Sequence, residues 1–182
     1  MKSSRRRRAV LGVAPLLACL LLAGCGLDEA EQTVADEVRT ALSNGDDDTD
    51  AQDLADCTAE RWVGEAGLEA LRKDGLVEGD TANVGNVRAT ADGERSVSEP
   101  VARAYAEARV SCLDYDAAST DVRAALPDAS AETRDDYADC LREISDDLRE
   151  DAITQRLRGQ GDAQPVTRLE QQEQRCLQQA RG

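Results

Sequence analysis

Four cysteines in a chain that is poor in large apolar residues constrain the fold more than any other feature. They are Cys57, Cys112, Cys140 and Cys176. From position 25 onward the chain has only 13 Leu, 11 Val and 2 Ile, and it has no Phe. Such a composition supports only a small hydrophobic core. A domain of this kind needs covalent cross-links to be stable. Four cysteines in an exported chain therefore predict two disulfide bonds.

The N-terminal segment predicts export. Lys2 and the run Arg5 to Arg8 form a basic region, and residues 9–23 form an uncharged, mostly apolar run of 15 residues. This run is shorter than the about 20 residues that a membrane-spanning helix needs, so the segment is typical of a secretory signal peptide. Arg7-Arg8 followed by Ala9-Val10-Leu11 also fits a twin-arginine signal. The sequence leaves open which of the two export routes is used.

The apolar run ends in a more specific motif. Leu22-Ala23-Gly24-Cys25 resembles the lipobox of bacterial lipoproteins, in which the chain is cut before the cysteine and the thiol carries a diacylglycerol. The resemblance implies that residues 1–24 are a lipoprotein signal peptide. It also implies that lipid on Cys25 anchors the protein at the outer face of the plasma membrane, because two acyl chains give stable anchoring.

Charge and composition exclude several classes of function. Removing residues 1–24 takes away five basic side chains and no acidic ones, so the formal net charge falls from −15 to −20. We therefore expect no nucleic-acid partner, because such binding depends on Lys and Arg neutralising phosphates. The chain has no His, which excludes Ser-His-Asp triads, Cys-His pairs and His-ligated zinc. We expect no cofactor, no metal ligand and no catalytic residue.

The apolar residues of the mature chain recur at three- and four-residue spacing and predict an all-α domain. Residues 25–50 comprise the lipid anchor, an amphipathic helix from Leu27 to Leu42 and an acidic turn in which Asp50 caps the next helix. A helix from 51 to 63 follows, with a short second helix after it. The segment from Gly79 to Ser96 is polar and predicts a loop, and no stretch shows the alternation of a strand.

Helix signals continue through the second half. Ser98-Glu99-Pro100 and Ser130 mark helix starts, and a short helix near 120–126 lies between them. An apolar stripe from Tyr137 to Leu148 predicts one helix that breaks near 149–151. The last helix carries Glu173 as the polar member at the edge of its apolar face.

A weak internal repeat divides the mature chain into two units. Three motifs recur in order: Ala55-Asp56-Cys57 as Ala138-Asp139-Cys140, Leu71-x-x-x-Gly75 as Leu157-x-x-x-Gly161, and Cys112-Leu113 as Cys176-Leu177. The repeat predicts duplicated αα-hairpin-like units at 51–126 and 130–182. Disulfides should then stay within the units, as Cys57–Cys112 and Cys140–Cys176, whereas the two alternatives pair cysteines across units. Peptide mapping under non-reducing conditions distinguishes them.

The cysteine spacing, the segment 65–77 (Glu65-Ala66-Gly67-Leu68-Glu69-Ala70-Leu71 to Gly75-Leu76-Val77) and the lipobox together resemble the small four-cysteine helical lipoproteins of high-GC Gram-positive bacteria. The resemblance implies a fold and a location, and it assigns no functional residues. We expect a non-enzymatic, membrane-anchored envelope protein that acts as a protein- or envelope-interaction module. Its strongly negative charge favours a cationic partner.

Two alternative functions stay open at this point. Asp46, Asp48 and Asp50 alternate as in a calcium loop, which suggests weak cation binding, but Ala51 and Cys57 stand where that loop needs Gly and an acid.

The second alternative is a cell-wall hydrolase that uses two carboxylates as its catalytic groups. Enzymes that act on sugars also use aromatic platforms, and the chain has one Trp and three Tyr. Trp62 is either such a platform or a core residue between Cys helices, and the helical pattern favours the core.

Overall fold

The computed structural model describes residues 26–43, 48–116 and 119–182. Within these ranges the chain forms eight helices and one two-stranded sheet, which confirms the all-α prediction in its main part. The elements are α1 (Glu29–Ser43), α2 (Thr49–Lys73), β1 (Val77–Glu78), β2 (Thr81–Ala82), α3 (Val84–Ala91), α4 (Glu99–Cys112), α5 (Thr120–Ala125), α6 (Ala131–Arg142), α7 (Asp146–Leu157) and α8 (Gln164–Ala180). None of these helices has the length and apolar character needed to cross a membrane.

The described residues pack around two hydrophobic cores. The first lobe comprises α1 to α4 with the β-hairpin, and its core includes Val34, Trp62 and Val101. The second lobe comprises α5 to α8, and its core includes Leu141 and Val166. Helix α5 contributes Val122 and Leu126 to the second core. It therefore packs with the second lobe and not with the unit 51–126, in which its sequence position placed it.

Helix α4 joins the two lobes. It packs against α2 on one side and against α7 on the other. Seven of its side chains are buried, and four of these are alanines. Helix α7 faces both ways, because Ala152 lies in the second core whereas Leu157 lies in the first, with Ile153 packed against it. This explains why Ile153 and Leu157 fall out of phase with the apolar stripe of the preceding helix.

Each lobe is closed by one disulfide bond. Cys57 of α2 is bonded to Cys112 at the end of α4, with Cα atoms 5.9 Å apart. Cys140 of α6 is bonded to Cys176 of α8, with Cα atoms 5.4 Å apart. This is the pairing within units that the repeat predicts, and neither bond crosses between the lobes.

The segment predicted as a loop, Gly79 to Ser96, is largely structured, and this prediction is wrong. Strands β1 and β2 pair antiparallel through Val77 with Ala82 and Glu78 with Thr81. Helix α3 follows and is capped by the Asn83 side chain, which accepts a hydrogen bond from the Asn86 N–H at 3.1 Å. Two-residue strands are too short to show an alternating pattern, and α3 buries only Val87 and Thr90, which leaves too little apolar periodicity to detect.

Helix breaks also differ from the prediction. Helix α6 ends at Arg142 and α7 begins at Asp146, so the break lies before the predicted position of 149–151. Arg149 stabilises the break, because its side chain is only 4% exposed and donates hydrogen bonds to the carbonyls of Leu141 and Ile144. Both carbonyls lie at the α6 C-terminus, where the usual helical acceptor pattern ends, and the Leu141 carbonyl also accepts a hydrogen bond from the Ile144 N–H at 3.0 Å. In α2 the break lies at Gly67, whose φ of 71° and ψ of 150° leave the helical region.

Removal of either disulfide is expected to destabilise the protein strongly. The bonds close loops of 55 and 36 residues, and loop-closure entropy gives each a contribution of about 4 kcal/mol to the free energy of unfolding. The paired variants C57A/C112A and C140A/C176A should show this loss in urea denaturation. Reduction of the wild-type protein is the control that leaves the side-chain volume unchanged. An unchanged unfolding midpoint in the variants and after reduction would contradict the prediction.

Candidate functional site

The structure places the residues singled out in the sequence as follows. Cys25 lies outside the described residues, and the four later cysteines form the two disulfides. Trp62 is fully buried, and its Nε1–H donates a hydrogen bond to the Val101 carbonyl at 3.1 Å. Its ring packs edge-on against that of Tyr105, with centroids 4.8 Å apart. Trp62 is therefore a core residue and offers no platform for a sugar.

Asp48 and Asp50, the two aspartates of the acidic turn that the structure describes, have a structural role. Asp46 and Asp47 lie outside the described residues. Asp48, and not Asp50 as predicted, is the N-cap of α2, because its carboxylate accepts a hydrogen bond from the Asp50 N–H at 3.0 Å. The same carboxylate binds the guanidinium of Arg123 on α5. This hydrogen bond lowers the pKa of Asp48, and the contact with the Asp50 N–H adds to the effect.

No metal centre is formed by the residues that the structure describes. Within 26–43, 48–116 and 119–182, no group of three or more Cys, Asp or Glu side chains is arranged to hold a metal ion.

An acidic groove runs between α1, α2, α4 and the start of α5. It has a volume of about 770 Å³. Its floor includes Leu42, Leu54, Leu113 and the Cys57–Cys112 disulfide, and its rim carries Asp50, Asp53, Asp114, Asp116 and Asp121. Arg109 is the one basic side chain among its described lining residues. The groove thus combines apolar side chains with charge that is mostly negative.

A second, smaller space lies at the junction of the lobes, and we call it the interlobe cavity. Its volume is about 390 Å³. Apolar walls come from Leu42, Leu113, Ile153, Leu157 and Leu169; ionic groups come from Arg109, Arg149, Arg156, Asp92, Asp121 and Glu173; and Tyr105 and Tyr115 complete the lining. The cavity adjoins the acidic groove, because both are lined by Leu42, Arg109, Leu113 and Asp121. Its lining has three arginines and three acidic residues, whereas the groove lining is mostly acidic.

Tyr105 lines this cavity with a side chain that is almost wholly buried. Its side chain is 7% exposed, and the hydroxyl has no hydrogen-bond partner among the described residues. Burial raises the pKa of Tyr105; Arg109 opposes the shift and Asp92 adds to it. The hydroxyl therefore stays protonated at neutral pH, where it can both donate and accept a hydrogen bond.

Glu173 brings a half-buried carboxylate to the same cavity. It forms no hydrogen bond or ion pair with another described residue. Burial raises the pKa of Glu173, and the positive charges of Arg156 and Arg149 oppose the shift. Negative charges on Glu170 and Asp121 add to it. A carboxylate in this position is destabilised when ionised and gains most from a cationic ligand.

The three arginines of the interlobe cavity differ in how they are held. Arg149 is fixed by the α6 carbonyls, and its guanidinium lies 4.6 Å from the centre of the Tyr115 ring. Arg109 faces Asp121 at 3.8 Å, and Arg156 faces Glu170 at 3.3 Å. Both of these acidic partners are more than half exposed, so the two ion pairs are weak. Arg109 and Arg156 therefore keep donors for another anion.

Sequence reasoning found only part of this cavity. Glu173 stands out in the sequence as a polar residue at the edge of an apolar face, and Tyr105 stands out only as an apolar position. No sequence pattern groups the three arginines, because they come from α4 and α7, and these helices become neighbours only in the folded chain. The seven-residue spacing of Arg149 and Arg156 does place both on one face of α7.

Comparison with protein-family models, with curated proteins and with solved structures found no match in any of the three.

The buried position of Glu173 predicts a pH-dependent effect of the substitution Glu173→Gln. Because the pKa of Glu173 is raised in the folded state, its ionisation costs stability as the pH rises through that pKa. At pH 7 the variant should therefore be more stable than the wild type, and the difference should shrink below the usual Glu pKa of about 4.3. Urea denaturation at both pH values measures this.

The matched control is Glu143→Gln, which removes the same charge from an exposed position. It corrects for the general relief of self-repulsion in an acidic protein. An equal gain in both variants at pH 7, or no gain for Glu173→Gln, would contradict the assignment.

Proposed function

We propose that this protein is an exported lipoprotein, held by a diacylated Cys25 on the outer face of the plasma membrane, where it acts as a non-enzymatic interaction module. Its partner is an envelope protein that inserts a basic segment with apolar side chains into the acidic groove. The observation that carries the proposal is the combination of an apolar floor and a rim of aspartates in that groove.

The position of Leu27 supports close attachment to the membrane. Leu27 is half-buried and packs against the first core, and its Cδ2 atom would lie 3.1 Å from a Cβ added at Gly64. Only residues 25–27 therefore separate the proposed lipid from the folded body. At about 3.5 Å per extended residue, the body lies within about 10 Å of the lipid glycerol.

The charges on the rim support a basic partner. Asp50, Asp53 and Asp114 are exposed and have no ion-pair partner among the described residues. A mature net charge of −20 adds to their field, and complementary charge of this kind accelerates encounter and selects the partner. The apolar floor supplies the area that a bound side chain can bury. A volume of about 770 Å³ accommodates a few side chains.

The lack of His in the chain supports a role without catalysis. It removes the side chain that most often serves as a general base.

Anchoring is tested by the substitution Cys25→Ala. The variant cannot accept diacylglycerol, so we expect it to be lost from the membrane fraction and to incorporate no labelled fatty acid. Fractionation and metabolic labelling with a clickable fatty acid measure both effects. Cys19→Ala, inside the signal segment, is the control and should be labelled like the wild type. Equal labelling of Cys25→Ala would show that Cys25 is not the lipid site.

Photo-crosslinking on intact cells tests the groove. Photoreactive residues at Asp53 and Asp114 should each capture the same protein partner. The triple variant Asp50→Asn, Asp53→Asn, Asp114→Asn should bind that partner more slowly than the wild type does, and the deficit should be largest at low ionic strength.

The matched controls are probes and Asn substitutions at Asp135, Asp136 and Asp147. These side chains are also exposed but lie in the second lobe, away from the groove. Adducts formed equally from both sets of positions, or formed only with lipid and wall polymer, would overturn the proposed interaction.

A further inference from the structure

The interlobe cavity holds polar groups that the fold leaves unused. The Tyr105 hydroxyl has no hydrogen-bond partner among the described residues; the residue is 7% exposed, and its hydroxyl oxygen is not among the fully buried atoms. Glu173 likewise lines the cavity without a hydrogen bond or ion pair to another described residue. Both groups line the same cavity, and neither is engaged by another described residue, so both are available to a ligand.

We propose that the interlobe cavity binds a small zwitterion, a free α-amino acid with an aliphatic side chain. The ligand ammonium donates hydrogen bonds to the Glu173 carboxylate and to the Tyr105 hydroxyl oxygen. The ligand carboxylate accepts hydrogen bonds from the guanidinium groups of Arg109 and Arg156. Its aliphatic side chain packs on the apolar wall.

The mixed charge of the lining favours a zwitterion over a simple ion. Three arginines and three acidic residues line the cavity, so a simple cation meets nearby guanidinium groups. A simple anion meets carboxylates and the net negative charge of the whole protein. A zwitterion has no net charge to be repelled, and each of its charges finds an opposite one. Charged hydrogen bonds of this kind are the strong ones in a partly desolvated site.

Size and wall chemistry restrict the ligand further. The volume of about 390 Å³ lies near the lower end of small-molecule sites, which span about 300–1,000 Å³. Leu113, Ile153 and Leu169 offer a surface for a branched aliphatic group. Arg149 is already held by the α6 carbonyls and stacked near Tyr115, so it contributes a fixed positive charge and not a mobile ligand contact.

Calorimetric titration with three probes tests the proposal. The probes are L-leucine, 4-methylpentanoate, which lacks the ammonium group, and 3-methylbutylamine, which lacks the carboxylate. They are added to the full-length exported protein with its disulfides intact. We expect L-leucine to bind and each analogue to bind at least about tenfold more weakly, because each loses one set of charged hydrogen bonds.

Two isosteric variants locate the binding. Tyr105→Phe removes only the hydroxyl and keeps the ring contact with Trp62, and Glu173→Gln removes only the charge. Each should weaken L-leucine binding about tenfold. The matched controls are Tyr137→Phe, which has the same 7% exposure but lies outside the cavity, and Glu143→Gln. Both controls should bind L-leucine like the wild type.

Several results would overturn the proposal: no binding of L-leucine at millimolar concentration, binding of an analogue as tight as that of L-leucine, or equal losses in the cavity and control variants. If Tyr105→Phe does not fold, the affinities of Glu173→Gln and Glu143→Gln for L-leucine are compared instead. Weaker binding by Glu173→Gln alone supports the proposal, and equal affinities contradict it. The assay needs neither the lipid nor the groove partner, so its outcome is independent of the proposed interaction role.

Discussion

Close packing of helix α4 between α2 and α7 holds the molecule together. A helix that is buried on most of its surface normally carries long apolar side chains, but α4 buries four alanines among its seven buried residues. Small side chains allow neighbouring helices to approach closely and bury little area per residue. The lobes therefore meet through many small contacts, and each lobe relies on a disulfide to close its own end.

The junction of the lobes has a chemical consequence. Long side chains, both apolar and charged, line the cavity at this junction. Arg149 illustrates the arrangement, because one guanidinium ends helix α6, lies against Tyr115 and sets the charge next to Glu173. Folding and the electrostatics of the cavity thus depend on the same side chain. In the acidic groove Arg109 faces Asp121, whereas the carboxylates of Asp50, Asp53 and Asp114 are exposed to solvent.

The sequence predicts those parts of the fold that depend on local periodicity. Helix α8 carries Pro165 in its first turn, and α6 begins directly after its Ser130 cap, because both signals lie within a few neighbouring residues. The disulfide pairing also follows from the repeat. The features that the sequence did not predict depend on contacts between residues that meet only in the folded chain. Asp48 caps α2 while it binds Arg123 of α5, and Arg149 reaches back to carbonyls of the preceding helix. The cavity is of this kind too, since its arginines and acids come from separate helices.

The buried pair of Trp62 and Tyr105 gives the protein a built-in optical probe. The chain has one tryptophan, and it lies wholly inside the first core, so its fluorescence reports mainly on that lobe. Circular dichroism reports on helices of both lobes. The difference between the two signals during unfolding measures how strongly the lobes are coupled through α4. Because the ring of Tyr105 contacts the indole while the tyrosine side chain also lines the cavity, the emission of this single fluorophore also monitors a change at the junction of the lobes.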